Sequence, residues 1–194
     1  MTLLRPAPTL FLALLLGASA GSAGATEFGL FQPEKSSLTF VSKQMGVPVD
    51  GKFKKFAATL AFDPARPAAA SAKFDLDLAS IDAGSKDAND EVVGKAWFNL
   101  KAFPTASFVS TAVKPLGGDK YELAGKLSIK GKTQDVTAPF VFRQEGGNGV
   151  FDGGFVLKRL DFAVGDGIWS DVSAVANEVQ IKFRIVAAPA APRK

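Results

Sequence analysis

The sequence predicts an all-β domain of antiparallel strands closed into a sandwich or a barrel. Three observations carry that prediction. Apolar and polar residues alternate with period two in segment after segment. Gly, Asn, Asp and Pro fall between those segments, where turns need them. One long stretch between two strands breaks the alternation and reads as an excursion.

The first 25 residues stand apart from the fold. Arg5 is followed by the apolar run Leu10 to Leu16, too short to span a bilayer, and then by two Ala-x-Ala sites, Ala18-Ser19-Ala20 and Ala23-Gly24-Ala25. That is the layout of a cleaved signal peptide, with cleavage expected after Ala25. No Cys follows the run, so no lipid-anchored cysteine is expected, and no later segment has the length and apolarity of a membrane-spanning helix. An exported product is expected, and residues 26–186 suit one domain. The tail 187–194 (AAPAAPRK) reads as disordered.

The strands follow in order. Leu38 and Phe40 share a face in Ser37 to Val41. Phe53 sits among Lys52, Lys54 and Lys55. In Ala72 to Leu78, Phe74, Leu76 and Leu78 oppose Lys73, Asp75 and Asp77. Tyr121, Leu123, Leu127 and Ile129 share a face with Gly125 in register. Phe140 and Phe142, then Phe151, Phe155 and Leu157, mark two more. Val179, Ile181, Phe183 and Ile185 oppose Gln180, Lys182 and Arg184. About eight or nine strands result. Asp63-Pro64, Gly117-Gly118-Asp119, Gly131-Lys132 and Gly146 to Gly149 supply the turns. Ser80 to Leu100 is the excursion, with a short helix expected, capped by Asp87 or Asn89 and carrying Val92, Val93, Ala96 and Trp97 on one side. Pro104 opens the next strand, where its missing N–H costs least, and Phe108 is its wall residue.

Composition removes whole classes of chemistry. The chain has no His and no Cys, which excludes Ser-His-Asp and Cys-His nucleophiles and His- or Cys-ligated metals. No enzyme is expected. The net charge is +4, and its one dense basic spot, Lys52 to Lys55, reads as a solvated strand edge and not as a nucleic-acid surface. Gly125 to Thr133 imitates a phosphate loop but has one residue too many and leads into a strand, not a helix. Asp82 to Glu91 fails the EF-hand pattern, because Lys86 and Val93 fall on ligand positions. Asp75 and Asp77 share the face opposite Phe74. No catalytic or metal-binding residue emerges.

What remains is the aromatic content: 17 Phe, 2 Trp and 1 Tyr. Rings on inward faces build either a filled core or the lining of a ligand cavity, and an eight-stranded barrel can do either. Residue types alone leave both open.

The ordered motifs Phe62-Asp63-Pro64, Leu78-Ala79-Ser80-Ile81-Asp82, Phe103-Pro104-Thr105-Ala106-Ser107-Phe108, Gly125 to Thr133, Lys158-Arg159-Leu160-Asp161-Phe162 and Asn177-Glu178-Val179-Gln180-Ile181 resemble the YceI-like family, over roughly Phe31 to Val186. The resemblance implies a lipocalin-like, extended eight-stranded antiparallel β-barrel with an elongated apolar cavity. It implies a periplasmic binding or carrier protein for an isoprenoid lipid, either a polyprenyl chain or a quinone tail, with no other cofactor. The competing reading is a ligand-free filled barrel acting as a stress-related interaction module. Strand parity then assigns Phe40, Phe53, Phe74, Leu76, Phe108, Leu127, Phe140, Phe155 and Phe183 to the lining, with Trp97 and Phe98 near an entrance. Transient contact with a membrane surface is a further expectation. The sequence departs from the family in the excursion, where Ala88-Asn89 and Glu91-Val92 replace an Arg-Asp and a His-Leu pair.

Overall fold

Alternation of the kind just described buries one face when the sheet packs on a second sheet or curls onto itself, and this chain does the latter. The computed structural model describes residues 26–191. The expected signal peptide, at residues 1–25, and the last three residues of the expected tail lie outside the described residues.

Among the described residues, eleven antiparallel strands form one sheet: β1 (Phe28–Phe31), β2 (Ser37–Gln44), β3 (Val47–Phe53), β4 (Phe56–Ala61), β5 (Ser71–Asp77), β6 (Ile81–Asp82), β7 (Thr105–Gly117), β8 (Lys120–Ile129), β9 (Lys132–Glu145), β10 (Asn148–Lys158) and β11 (Glu178–Pro189). Their order across the sheet is β4-β5-β7-β8-β9-β10-β11-β2-β3-β6, with β1 added to the end of β11. The expected lipocalin-like antiparallel architecture is therefore present. The strand number exceeds eight, and two of the strands, β1 and β6, are short additions of four and two residues. β1 also helps to close the curl: Phe28 and Phe62 exchange backbone hydrogen bonds of 2.8 and 3.0 Å, which links β1 to the residue just after β4.

Inward parity holds along each long strand, with one informative break. Ala106 and Phe108 face in on β7, but a register shift between Ser110 and Ala112 places Val113 inward farther along. A bulge adds one residue and moves the buried set by one position. Tyr121, Gly125, Leu127 and Ile129 of β8 are buried, with Leu123 half-buried between the first two.

Three expectations require correction. The stretch from Ala187 is not a disordered tail at its start. Ala187, Ala188 and Pro189 end β11 and pair with Phe31, Leu30 and Phe28, and Ala187 is 0% exposed. Small side chains that look like linker composition are what allow β1 to lie close against them. The helix α1 (Lys86–Val92) is capped by Ser85, whose Oγ accepts from the Ala88 N–H at 3.2 Å, and not by Asp87 or Asn89. Asn89 instead accepts from the Ala83 N–H at 2.6 Å. The helix also stops before Val93, so Ala96 and Trp97 lie in the turns that follow and are placed by other contacts.

Candidate functional site: an apolar cavity between two excursions

The inward faces enclose a cavity of about 570 Å³, within the usual range for a small-molecule site. One end is closed by rings. Phe62 packs edge-on against Tyr121, Phe140 and Phe151 at centroid distances of 5.3, 6.2 and 5.1 Å, and Phe28 and Phe142 complete the cluster. Edge-to-face packing at such distances adds to the burial energy of each ring. Ile185, Leu123 and Phe183 border both this cluster and the cavity, so the cavity ends there.

The other end lies where two irregular segments meet the β2–β3 hairpin. The first is the expected excursion, with α1. The second, residues 159–177 between β10 and β11, contains two 3-10 turns, Arg159–Phe162 and Gly167–Ser170. The Ala96 carbonyl accepts from the Gly165 and Asp166 N–H groups, both at 2.9 Å, joining the two excursions. Lys130 Nζ reinforces the joint by donating to the Ala96 and Ala163 carbonyls at 3.1 and 2.6 Å and to Asp166 Oδ2 at 3.1 Å. The hairpin is tied in turn to the second excursion: Met45 N–H donates to the Ala174 carbonyl at 2.8 Å, and Ala176 N–H to the Lys43 carbonyl at 2.9 Å.

Arg159 organises this end. It is only 2% exposed, yet among the described residues no carboxylate pairs with it. Nε donates to the Ala176 carbonyl, Nη1 to Val164 and Gly165, and Nη2 to Trp169 and Val175, at 2.6–3.0 Å. All five guanidinium donors are thereby used, and five carbonyls of a segment without regular structure are satisfied at once. Burial lowers the guanidinium's pKa, while arginine stays charged in proteins. The Trp97 ring lies against the guanidinium, and Trp169 lies 5.5 Å from Trp97. Trp97 Nε1 is buried without a hydrogen-bond partner among the described residues.

Of the residues assigned to the lining, Phe40, Phe53, Phe74, Leu76, Phe108, Leu127, Phe155 and Phe183 border the cavity, and Trp97 and Phe98 border it beside the second excursion. Phe140 does not. It is 7% exposed within the closing cluster, because parity fixes a residue's face but not its depth along the barrel. Most of the bordering rings are half-buried, among them Phe40, Phe53, Phe74, Phe155 and Phe183. A filled barrel would bury them completely, so the open interior separates lining from core. Sequence reading missed Trp169, Val175 and Arg159, which also border the cavity, since the segment carrying them has no periodicity. It also passed over Leu38, Leu157 and Ile181, which share parity with the Phe of their strands and differ only in lacking a ring. Ser42, Gln44, Ser85, Asp87 and Glu91 are the polar residues at the open end. The carboxylates on the outer faces are elsewhere: Asp75 pairs with Lys73 at 2.8 Å, and Asp77 accepts from the Ala79 N–H.

The model of the YceI-like domain matches residues 30–187. The chain belongs to the YceI-like domain family. A UPF0312 protein of Azotobacter vinelandii is 31% identical over 180 residues, covering 87% of this chain and 92% of that protein. Among solved structures, Burkholderia cenocepacia BcnA is 51% identical, with a TM-score of 0.79, covering 81% of this chain and 99% of that one. A domain from Saccharophagus degradans described as polyisoprenoid binding and implicated in plant cell wall breakdown is 15% identical, with a TM-score of 0.66 over 86% of this chain and 99% of that one. That last likeness concerns the YceI-like fold alone.

Proposed function

We propose that this protein is a periplasmic binding or carrier protein that holds the chain of an isoprenoid lipid, a polyprenyl chain or a quinone tail, inside its barrel. The observation that carries the reading is the cavity itself, walled by half-buried Phe and aliphatic side chains and closed at one end by a ring cluster. Such a wall offers hydrocarbon surroundings to a tail that water rejects at roughly 0.8 kcal/mol per CH₂ group. The polyisoprenoid-binding description of the Saccharophagus degradans domain and membership of the YceI-like family support the same class of ligand. The tail begins in a bilayer, where it is already buried, so its transfer into the barrel is close to neutral. Selectivity then falls to the shape of the bore and to the polar groups at the open end, Ser42, Gln44, Ser85, Asp87 and Glu91. Export rests on the leader-like first 25 residues.

Transient contact with a membrane surface completes the reading. Met45 (75% exposed) and Val47 stand on the β2–β3 hairpin, and Ile168 (85%) and Val172 on the second excursion. These two segments flank the open end. Apolar tips there shorten the path of a tail through water.

The test is direct. The exported protein is purified, extracted with organic solvent, and the extract identified by mass spectrometry. A polyprenyl lipid or quinone in stoichiometric amount is the expected result. A clean protein that also fails to take up either class when it is offered overturns the reading.

A further inference from the structure

Three of the cavity's Phe rings share one unusual placement. The Phe40 ring lies over Gly51, its direct partner on the neighbouring strand. Phe183 lies over Gly153, again its direct partner. Phe108 leans diagonally over Gly125, which sits opposite Ser110. At each glycine a Cβ would come closer than 3.0 Å to the ring, a separation that real side chains do not tolerate. None of the three glycines has a positive φ, so turn geometry does not explain them. Each occupies an inward position of a strand, where a glycine weakens pairing and leaves a gap in the wall. The gap is filled by the ring of the next strand, which therefore lies along the wall instead of projecting into the lumen.

We propose that Gly51, Gly125 and Gly153 are specificity-determining residues: they seat Phe40, Phe108 and Phe183 flat and so set a bore wide enough for a methyl-branched chain. The inference rests on the carrier reading and deepens it. Isoprenoid tails carry a methyl on every unit, and a bore narrowed by one projecting ring admits a straight chain in preference to a branched one.

Gly51 gives the cleanest test. The three atoms nearest to an added Cβ all belong to the Phe40 ring, whereas Gly125 and Gly153 also meet the backbone carbonyls of Val109 and Pro139. The closest conflicts of Gly51→Ala in extended backbone are therefore all with the Phe40 ring. Binding of geranylgeraniol and of its straight-chain counterpart n-eicosanol is measured on the wild type, Gly51→Ala and Gly51→Ala/Phe40→Leu. The wild type is expected to favour geranylgeraniol, and Gly51→Ala to lose about tenfold in affinity for it, the order of an overpacked core. Its affinity for n-eicosanol should change much less. The double variant should recover the branched ligand. A folded Gly51→Ala protein that binds geranylgeraniol as the wild type does overturns the proposal. So does an equal loss for both alcohols that Phe40→Leu does not repair. Should Gly51→Ala fail to fold, folding and binding by the double variant uphold the seat, and failure of both overturns it. Should the wild type bind neither alcohol, the carrier reading fails. A crystal structure of Gly51→Ala then decides the seat: Phe40 swung into the lumen upholds it, and Phe40 still flat overturns it.

Discussion

The guanidinium carbon of Arg159 stands 5.5 Å from the centroid of the Trp97 ring, with the ring lying against a cation whose five donors all go to backbone carbonyls. The contact joins the two excursions at the open end of the barrel. Cation–π contacts range from about 0.5 to about 2 kcal/mol with increasing desolvation, and this cation is almost wholly out of water. Arg159→Met removes the cation and strands five carbonyls. The expected cost is roughly 3 kcal/mol or more, read as a lower urea midpoint. An unchanged midpoint would show that the carbonyl cage contributes nothing.

The two Trp of the chain, Trp97 and Trp169, lie 5.5 Å apart and both border the cavity. Tryptophan emission should therefore report occupancy without any label. Titration with a polyprenol is expected to shift the emission to shorter wavelength as the chain replaces water beside the rings. Trp97→Phe should reduce that shift, and an emission spectrum blind to a ligand detected by mass spectrometry would place the chain away from this end.

Phe140 and Phe155 separate core from lining. Phe140→Ala opens a hole in the closing cluster and should cost about 3–5 kcal/mol, with ligand preference little altered. Phe155→Ala removes a half-buried ring and should cost roughly half as much, while changing which chains are retained. Matching stability losses and matching ligand profiles for the two variants would erase the distinction.

Ala187→Asp is expected to destabilise the protein by about 3 kcal/mol, since it puts a charge where β1 and β11 meet at 0% exposure. Thermal unfolding of this variant against Ala190→Asp, placed just beyond the strand, isolates the effect.

Stability should be flat between about pH 5 and 8, where an imidazole would titrate and the chain has none. Four carboxyls have pKa values held below their usual range: Asp63 by the Arg66 hydrogen bond, Asp82 by that of Lys54, Glu145 by that of Arg143 and Asp171 by the Ser173 hydroxyl. A depressed carboxyl stabilises the fold above its unfolded pKa of about 4, and that contribution is lost as pH falls through the lower folded value. Urea midpoints recorded from neutral pH downward should hold level and then drop in the acid range. A step near pH 6 would contradict this assignment.

Period-two alternation made the strands legible, and Val179, Ile181, Phe183 and Ile185 illustrate it: one face of β11 reads directly as the inward face. Depth was not legible. Phe140 and Phe155 have the same parity and residue type, and only the three-dimensional position of the closing cluster tells them apart. The segment 159–177 was invisible for a different reason. Its order comes from one side chain reaching five carbonyls up to 17 residues away, and no local pattern announces such an arrangement. Ala187 shows the converse hazard, in which linker-like composition marks tight packing.

The ring cluster around Phe62 makes the barrel a blind sac. On the carrier reading proposed above, an amphiphile enters tail-first and leaves by reversing its path, so its head group stays at the doorway throughout. A chain longer than the sac leaves its surplus outside, beside Met45 and Ile168. On the same reading depth acts as a ruler, and whatever receives the cargo meets the head group before it meets the tail.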